Sequence, residues 1–312
     1  MPDPTIPTSG LTVGVPPVVA THSWQGFHCE SRLVRTDSPY VAPVVLVGGA
    51  FQTKESWGRV EAEFLAHADV FTVDLPGWGQ ADVLPEEHGV ESLADALDHM
   101  LDEVGLDVVN VVGGSYGTAI AYTFAQRHPD RVRRMALVGT MTSIPDHAET
   151  AIRRAMELLP AGRMEDFADT VLNLLFNPRT IDSVTGGARL REGMRRRLLA
   201  LRPQEGAQAL ANTVRLLVHK SLDTSIAPPM PVLVVTGEHD HFTTPDLCRE
   251  VATTCVDSWF TTITDADHMV PFERSAEIVD LLTRFFADQP LTGLSYCCDA
   301  TRMSTALAAS PR

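Results

Sequence analysis

The chain predicts an α/β fold: a mostly parallel, eight-stranded, doubly wound sheet with an inserted helical cap. Three observations lead there. Short apolar runs alternate with amphipathic stretches along most of the chain, as when strands alternate with helices in a parallel sheet. The runs are continuously apolar, as in Ala42-Pro-Val-Val-Leu-Val47, which suits strands buried on both faces. The alternation breaks once, over residues 145–228, where four helix-like stretches follow one another with no strand pattern between them.

Residues 1–17 are rich in Pro, Gly and Thr and read as an N-terminal arm. Strand candidates follow at 18–24, 26–35 and 42–47. A helix candidate spans 54–67, a strand 69–74, and the turn-rich Leu75-Pro-Gly-Trp-Gly79 comes next. Residues 91–104 have the spacing of an amphipathic helix. Strand 107–112, a helix after Ser115 and strand 134–139 complete the first part of the core, 18–144. In the 145–228 insertion, Pro160, Pro178, Gly186-Gly187 and Pro203 mark off helices 147–159, 163–176, 188–201 and 205–221. The core resumes over 229–288 with strand 231–236, helix 246–254, strand 258–264 and helix 274–287. A helical insertion between parallel strands most simply covers their carboxyl ends. Residues 289–312 are small and polar and read as a tail with no assigned function.

At 312 residues the chain can bury one large core plus an insertion. Its net charge of −15 argues against general nucleic-acid binding. No apolar run approaches the roughly 20 residues of a membrane span. Met1-Pro-Asp-Pro-Thr-Ile-Pro7 lacks the basic and apolar regions of a secretory signal. The five cysteines (Cys29, Cys248, Cys255, Cys297, Cys298) are odd in number and show no metal-type spacing. Together these features point to a cytoplasmic protein with reduced thiols.

The chemistry centres on Gly113-Gly114-Ser115-Tyr116-Gly117, which joins an apolar run to a helix-like stretch. Strand, sharp turn and helix are the context in which G-x-S-x-G presents an exposed serine. A serine hydroxyl is a poor nucleophile near neutral pH and needs a base oriented by a carboxylate. Strand 231–236 leads into Gly237-Glu-His-Asp240, and strand 258–264 into Asp265-Ala-Asp-His268. Both ends fall on the same carboxyl edge as Ser115. Asp240 and Glu238 compete as the acid; Asp240 lies further out, where it reaches toward a histidine. His268 alone follows the last strand, whereas His239 and His241 read as polar loop residues. Oxyanion donors are expected from Tyr116 N–H, directly after the serine, and from Ala50 N–H in Gly48-Gly-Ala-Phe51.

With these pieces in order, the chain resembles the α/β-hydrolase fold family over most of residues 25–288. Gly48 to Phe51 with Ser56-Trp57 resembles the oxyanion loop, and Asp74-Leu-Pro-Gly-Trp-Gly79 the D-x-x-G-x-G turn. His268 with Glu273 resembles the H-x-x-x-x-E histidine loop, and 145–228 the helical cap. Members commonly carry His where this chain has Gly48, which leaves the support of the oxyanion loop open. A serine at the elbow, in place of aspartate, argues against haloalkane dehalogenase or epoxide hydrolase chemistry.

The resemblance implies catalysis by Ser115, His268 and Asp240 through an acyl-enzyme, with no metal or organic cofactor. The expected substrate is a small, largely apolar ester or thioester, with cap residues Met156, Leu159, Phe167, Leu174, Phe176 and Leu217 as lining candidates. C–C hydrolysis, perhydrolysis, or a binding or cyclising role with a retained triad are the alternatives. The insertion carries 12 Arg/Lys against 10 Asp/Glu. Arg189, Arg191, Arg195, Arg196, Arg197 and Arg202 form a basic stretch, a solvated face or a contact for an anionic substrate handle or acidic carrier protein.

Overall fold

In a computed structural model of the chain, residues 16–218 and 222–304 are described. The 1–17 arm thus lies outside them except for Pro16 and Pro17, as do the end of the 205–221 helix and residues 305–312. Strands β1 (Val18–Trp24) and β2 (Phe27–Val34) form an antiparallel hairpin. β2 pairs antiparallel with β4 (Val70–Asp74). From β4 the sheet runs parallel through β3 (Val44–Val47), β5 (Val109–Gly114), β6 (Val132–Val138), β7 (Val232–Gly237) and β8 (Asp257–Ile263).

A ninth strand, β9 (Thr301–Ser304), adds antiparallel to β8, where eight strands and a structureless tail are expected from the sequence. Leu291 is buried, and Leu294, Tyr296 and Cys297 pack on the core. Cys298 N–H donates to Thr262 O at 3.0 Å. These apolar residues are scattered singly, without a period of two or of 3.6, so the pattern carries no strand signal. The open edge of β8 supplies the missing information: its unpaired backbone groups need partners.

Both faces of the sheet are covered. Helices α1 (Gly58–Phe64) and α10 (Ser275–Phe286) pack on one, and α2 (Val90–Val104), α3 (Tyr116–Arg127) and α8 (Pro245–Thr254) on the other. Side-chain alternation divides each strand between the two cores: Val45 and Val47 face one, Val44 and Leu46 the other. Each such buried side chain stabilises the fold by about 1.5–3 kcal/mol. β4 lies on one side of β3 and β5 on the other, so the winding reverses there. Ligands of such sheets sit in the crevice outside the carboxyl ends at the reversal.

Between β6 and β7 stand α4 (Asp146–Leu158), α5 (Met164–Leu175), α6 (Gly187–Leu199) and α7 (Pro203–Val218). They share a core of their own, with Leu158, Phe167, Leu172, Phe176 and Leu198 against Met269 of the sheet domain. α7 also binds the loop after β4: Gln208 Nε2 donates to Ala81 O at 2.7 Å and Asn212 Nδ2 to Gly77 O at 2.8 Å. Among the described residues no helix is long and apolar enough to cross a membrane.

Candidate active site

Ser115 occupies the turn between β5 and α3 with φ 51° and ψ −117°, a conformation that non-glycine residues rarely adopt. Ser115 N–H donates to Val138 O at 2.8 Å, fixing the turn against β6. The close approach of the turn to β3 requires glycine: a Cβ at Gly117 would collide with Val47 O.

The structure brings Ser115, His268 and Asp240 together. His268 Nε2 lies 3.0 Å from Ser115 Oγ, and His268 Nδ1 lies 3.0 Å from Asp240 Oδ2. His268 follows β8 and precedes the short helix α9 (Val270–Glu273). Glu238, the competing acid, instead lies 3.2 Å from His239 Nε2 and accepts from Asp265 N–H at 3.1 Å. His241 meets Asn173 O at 2.9 Å.

Asp240 is buried and saturated with donors. Phe242 N–H and Thr243 N–H reach its Oδ1 at 2.9 and 2.8 Å; the Thr236 and Thr243 hydroxyls reach its Oδ2 at 2.6 and 2.5 Å. Burial pushes its carboxyl pKa upward, but the His268 charge and these hydrogen bonds outweigh it and hold the pKa at about 2. Burial pushes the His268 imidazole downward, and the Asp240 charge and hydrogen bond reverse that, so its pKa stands above the ordinary histidine value. The sequence marked Asp240 but gave no separate signal for Thr236 or Thr243.

Ala50 and Tyr116 both border the cavity that contains Ser115 and His268. Tyr116 is the first residue of α3, so its N–H has no partner within the helix. Trp78 braces both sides: its Nε1 donates to Gly49 O at 3.1 Å, and its ring meets Tyr116 edge-on at 5.2 Å. Phe51 has a left-handed backbone (φ 64°) and meets Phe167 of α5 edge-on at 6.1 Å. Gln52 accepts a hydrogen bond from Gly49 N–H. It stands where no sequence motif pointed.

The cavity encloses about 170 Å³. Met156, Leu159, Phe167 and Leu174 line it as expected from the sequence, but Phe176 and Leu217 do not. Phe176 is spent in the core of the insertion, and on α7 it is Leu216, one residue earlier, that faces the cavity. Besides His268, the charged residues on its wall are Arg197 and Glu205, which pair with each other at 2.5 Å. Four other arginines of that stretch also find partners inside the insertion, Arg191 donating to Asn173 Oδ1 at 3.1 Å. Arg195 bonds Glu165, Arg196 pairs with Glu192 at 3.4 Å, and Arg202 with Glu205 at 3.3 Å.

A model of the alpha/beta hydrolase fold matches residues 42–275. The (E)-2-((N-methylformamido)methylene)succinate hydrolase of Acinetobacter baylyi is 27% identical over 142 residues, 46% of this chain and 53% of that protein. This match thus spans about half the length of that relative. The 2-hydroxy-6-oxononadienedioate/2-hydroxy-6-oxononatrienedioate hydrolase 1 of Dechloromonas aromatica is 28% identical over 221 residues, 66% of this chain and 73% of that protein. Among solved structures, the enol-lactonase from Burkholderia xenovorans LB400 aligns with a TM-score of 0.74 at 21% identity, covering 86% of this chain and 100% of the other. The family match runs from the start of β3 to the start of α10 and takes in every strand end that carries the site, so the chain belongs to the alpha/beta hydrolase fold family.

Proposed function

We propose that the chain is a serine hydrolase of small, neutral, largely apolar carboxylic esters or thioesters, acting through an acyl-enzyme. His268 Nε2 takes the Ser115 proton as Oγ attacks the carbonyl carbon, and Asp240 holds the imidazole and stabilises its cationic form. The N–H groups of Ala50 and Tyr116 receive the oxyanion. His268 then protonates the leaving group and activates the water that releases the acid. Residues 145–228 act as a cap that closes the cavity over the bound acyl group.

The observation that carries this reading is the unbroken line from Ser115 through His268 to Asp240 at the wall of an apolar cavity. Access is the deciding part. A second serine–histidine–carboxylate line exists, with His22 Nε2 2.7 Å from Ser31 Oγ and His22 Nδ1 2.5 Å from Glu103 Oε2. Ser31 is 0% exposed and no substrate can reach it. Charge favours a neutral substrate. A dianion such as the dienedioate named for the Dechloromonas relative needs cationic partners, and Arg197, the one arginine among the described residues of the cavity wall, is already engaged by Glu205. This favours a neutral ester over a dianionic C–C substrate of that kind.

The test is a p-nitrophenyl ester series together with a serine-directed fluorophosphonate. Turnover and labelling are expected, both lost in Ser115→Ala; folded wild-type protein that does neither overturns the reading.

A further inference from the structure

Gln52 folds its carboxamide back over the two glycines that precede Ala50. A side chain at Gly48 would start 3.0 Å from Gln52 Cβ and 3.3 Å from its Oε1. A side chain at Gly49 would start 3.2 Å from the same oxygen and 3.0 Å from Ser115 Cβ. The carboxamide therefore fills the space above Gly48 and borders the nucleophile across Gly49.

The orientation of the amide is set by chemistry. Gly49 N–H is a donor and must meet the oxygen, so Oε1 faces it. Nε2 is then left buried and without an acceptor, in a side chain that lines the cavity with Ser115 and His268. A buried amide donor left unpaired is destabilising. An oxygen of a bound substrate would remove that cost. A donor that gains its partner only as charge develops on that oxygen lowers the barrier and not the ground state.

We propose that Gln52 is a catalytic residue of the oxyanion site. Its Oε1 locks the 49–51 backbone so that Ala50 N–H faces the reacting carbonyl, and its Nε2 donates to the oxygen that becomes negative. In this chain the loop is thus braced by a carboxamide three residues downstream of Gly49, with only hydrogen at position 48. The inference rests on the acyl-transfer reading above.

Two variants test it on an ester that wild-type protein hydrolyses. Gln52→Met keeps the volume without either hydrogen bond, and Gln52→Glu keeps the acceptor but removes the donor. Both are expected to lower kcat by about 10²-fold with KM changed less than about threefold. The affinity for an alkylboronic acid, which forms a tetrahedral adduct on Ser115, is expected to fall by the same factor as kcat/KM. A merely structural role, the Oε1 brace alone, would lower both quantities in Gln52→Met and leave both unchanged in Gln52→Glu, which keeps the acceptor. Gln52→Glu, isosteric with the native residue, decides the matter if Gln52→Met does not fold. Variants within about threefold of wild type in kcat/KM and in boronic acid affinity overturn the inference while leaving the acyl-transfer reading intact. Wild-type protein with neither turnover nor fluorophosphonate labelling overturns both.

Discussion

Thr243 Oγ1 donates to Asp240 Oδ2 at 2.5 Å, and that same oxygen faces His268 Nδ1 at 3.0 Å. The threonine therefore helps to keep Asp240 ionised where burial alone would neutralise it. A hydrogen bond to a buried charge contributes about 1.5–3 kcal/mol. Thr243→Val, nearly isosteric, is expected to lose that much stability at pH 7 in urea unfolding. An unchanged unfolding midpoint would show that Thr236 and the two backbone donors suffice.

The pH profile follows from His268. In the proposed acyl transfer it must be neutral to accept the Ser115 proton, so kcat/KM is expected to rise as pH rises through its pKa. Because the Asp240 charge holds that pKa above the ordinary histidine value, the midpoint of the acid limb should lie above that value too. Asp240→Asn removes the largest opposition to burial and leaves only the more weakly acting Asp267 and Glu273 charges. The limb should then move to lower pH while kcat falls by about 10⁴-fold. A limb that stays in place would assign the titration to another group.

Glu273 titrates in the opposite sense to Asp240. Burial first, and the Asp267 and Asp240 charges with it, push its carboxyl pKa from 4.5 up to about 7, against the pull of Asp267 N–H and His268. A carboxyl that binds its proton more tightly in the folded state favours folding below its unfolded pKa. That contribution is lost as pH rises from about 4.5 to about 7. Glu273→Gln stays neutral throughout and can keep the acceptor that meets Asp267 N–H at 2.7 Å. Its Tm should match wild type in acid and exceed it at pH 8. A constant Tm difference across this window would refute the assignment.

Arg215 is completely buried on α7, yet its described partners are neutral oxygens. It donates to the carbonyls of His88 at 2.5 Å, Leu84 at 2.8 Å and Pro85 at 2.9 Å, and to Asn212 Oδ1 at 2.5 Å. It thereby ties the helical insertion to the loop after β4. Arg215→Met would strand those carbonyls, and a loss of about 3 kcal/mol is expected in chemical denaturation. A loss below about 1 kcal/mol would mean that water replaces the guanidinium.

Much of the architecture was legible because it rests on period and punctuation. The continuous apolar runs located β3 to β8, and Pro160, Pro178 and Pro203 marked breaks between helices of the insertion. Ser115, Asp240 and His268 were legible as strand-end residues because a parallel sheet gathers such ends at one edge. What escaped depends on three-dimensional fit. β9 carries no alternation and exists because β8 offers an edge. Phe51 has a backbone angle that its residue type does not announce. Thr243 and Gln52 matter through single hydrogen bonds, which leave no periodic trace. On α7, placing Leu217 at the cavity in place of Leu216 is an error of one helical step, about 100° of rotation.

The charge preference of the site can be changed at one position. Arg197 and Glu205 form the ion pair on the cavity wall, and Glu205 also accepts from Arg202 N–H at 2.7 Å. Although burial opposes it, the hydrogen bonds from Arg197 and Arg202 hold the Glu205 pKa at about 2, so the pair stays ionised at neutral pH. Arg197 is then held by a carboxylate that it shares with Arg202. Glu205→Gln keeps an oxygen for Arg202 N–H and removes the shared carboxylate charge, so Arg197 becomes an available, partly exposed cation on the cavity wall. Hydrolysis of an ester with a terminal carboxylate should improve about tenfold relative to its neutral methyl counterpart, and added salt should erode part of the gain. Were the ratio of the two substrates unchanged, the reacting molecule would not extend to this end of the cavity, and specificity would have to be sought nearer Phe51 and Met156.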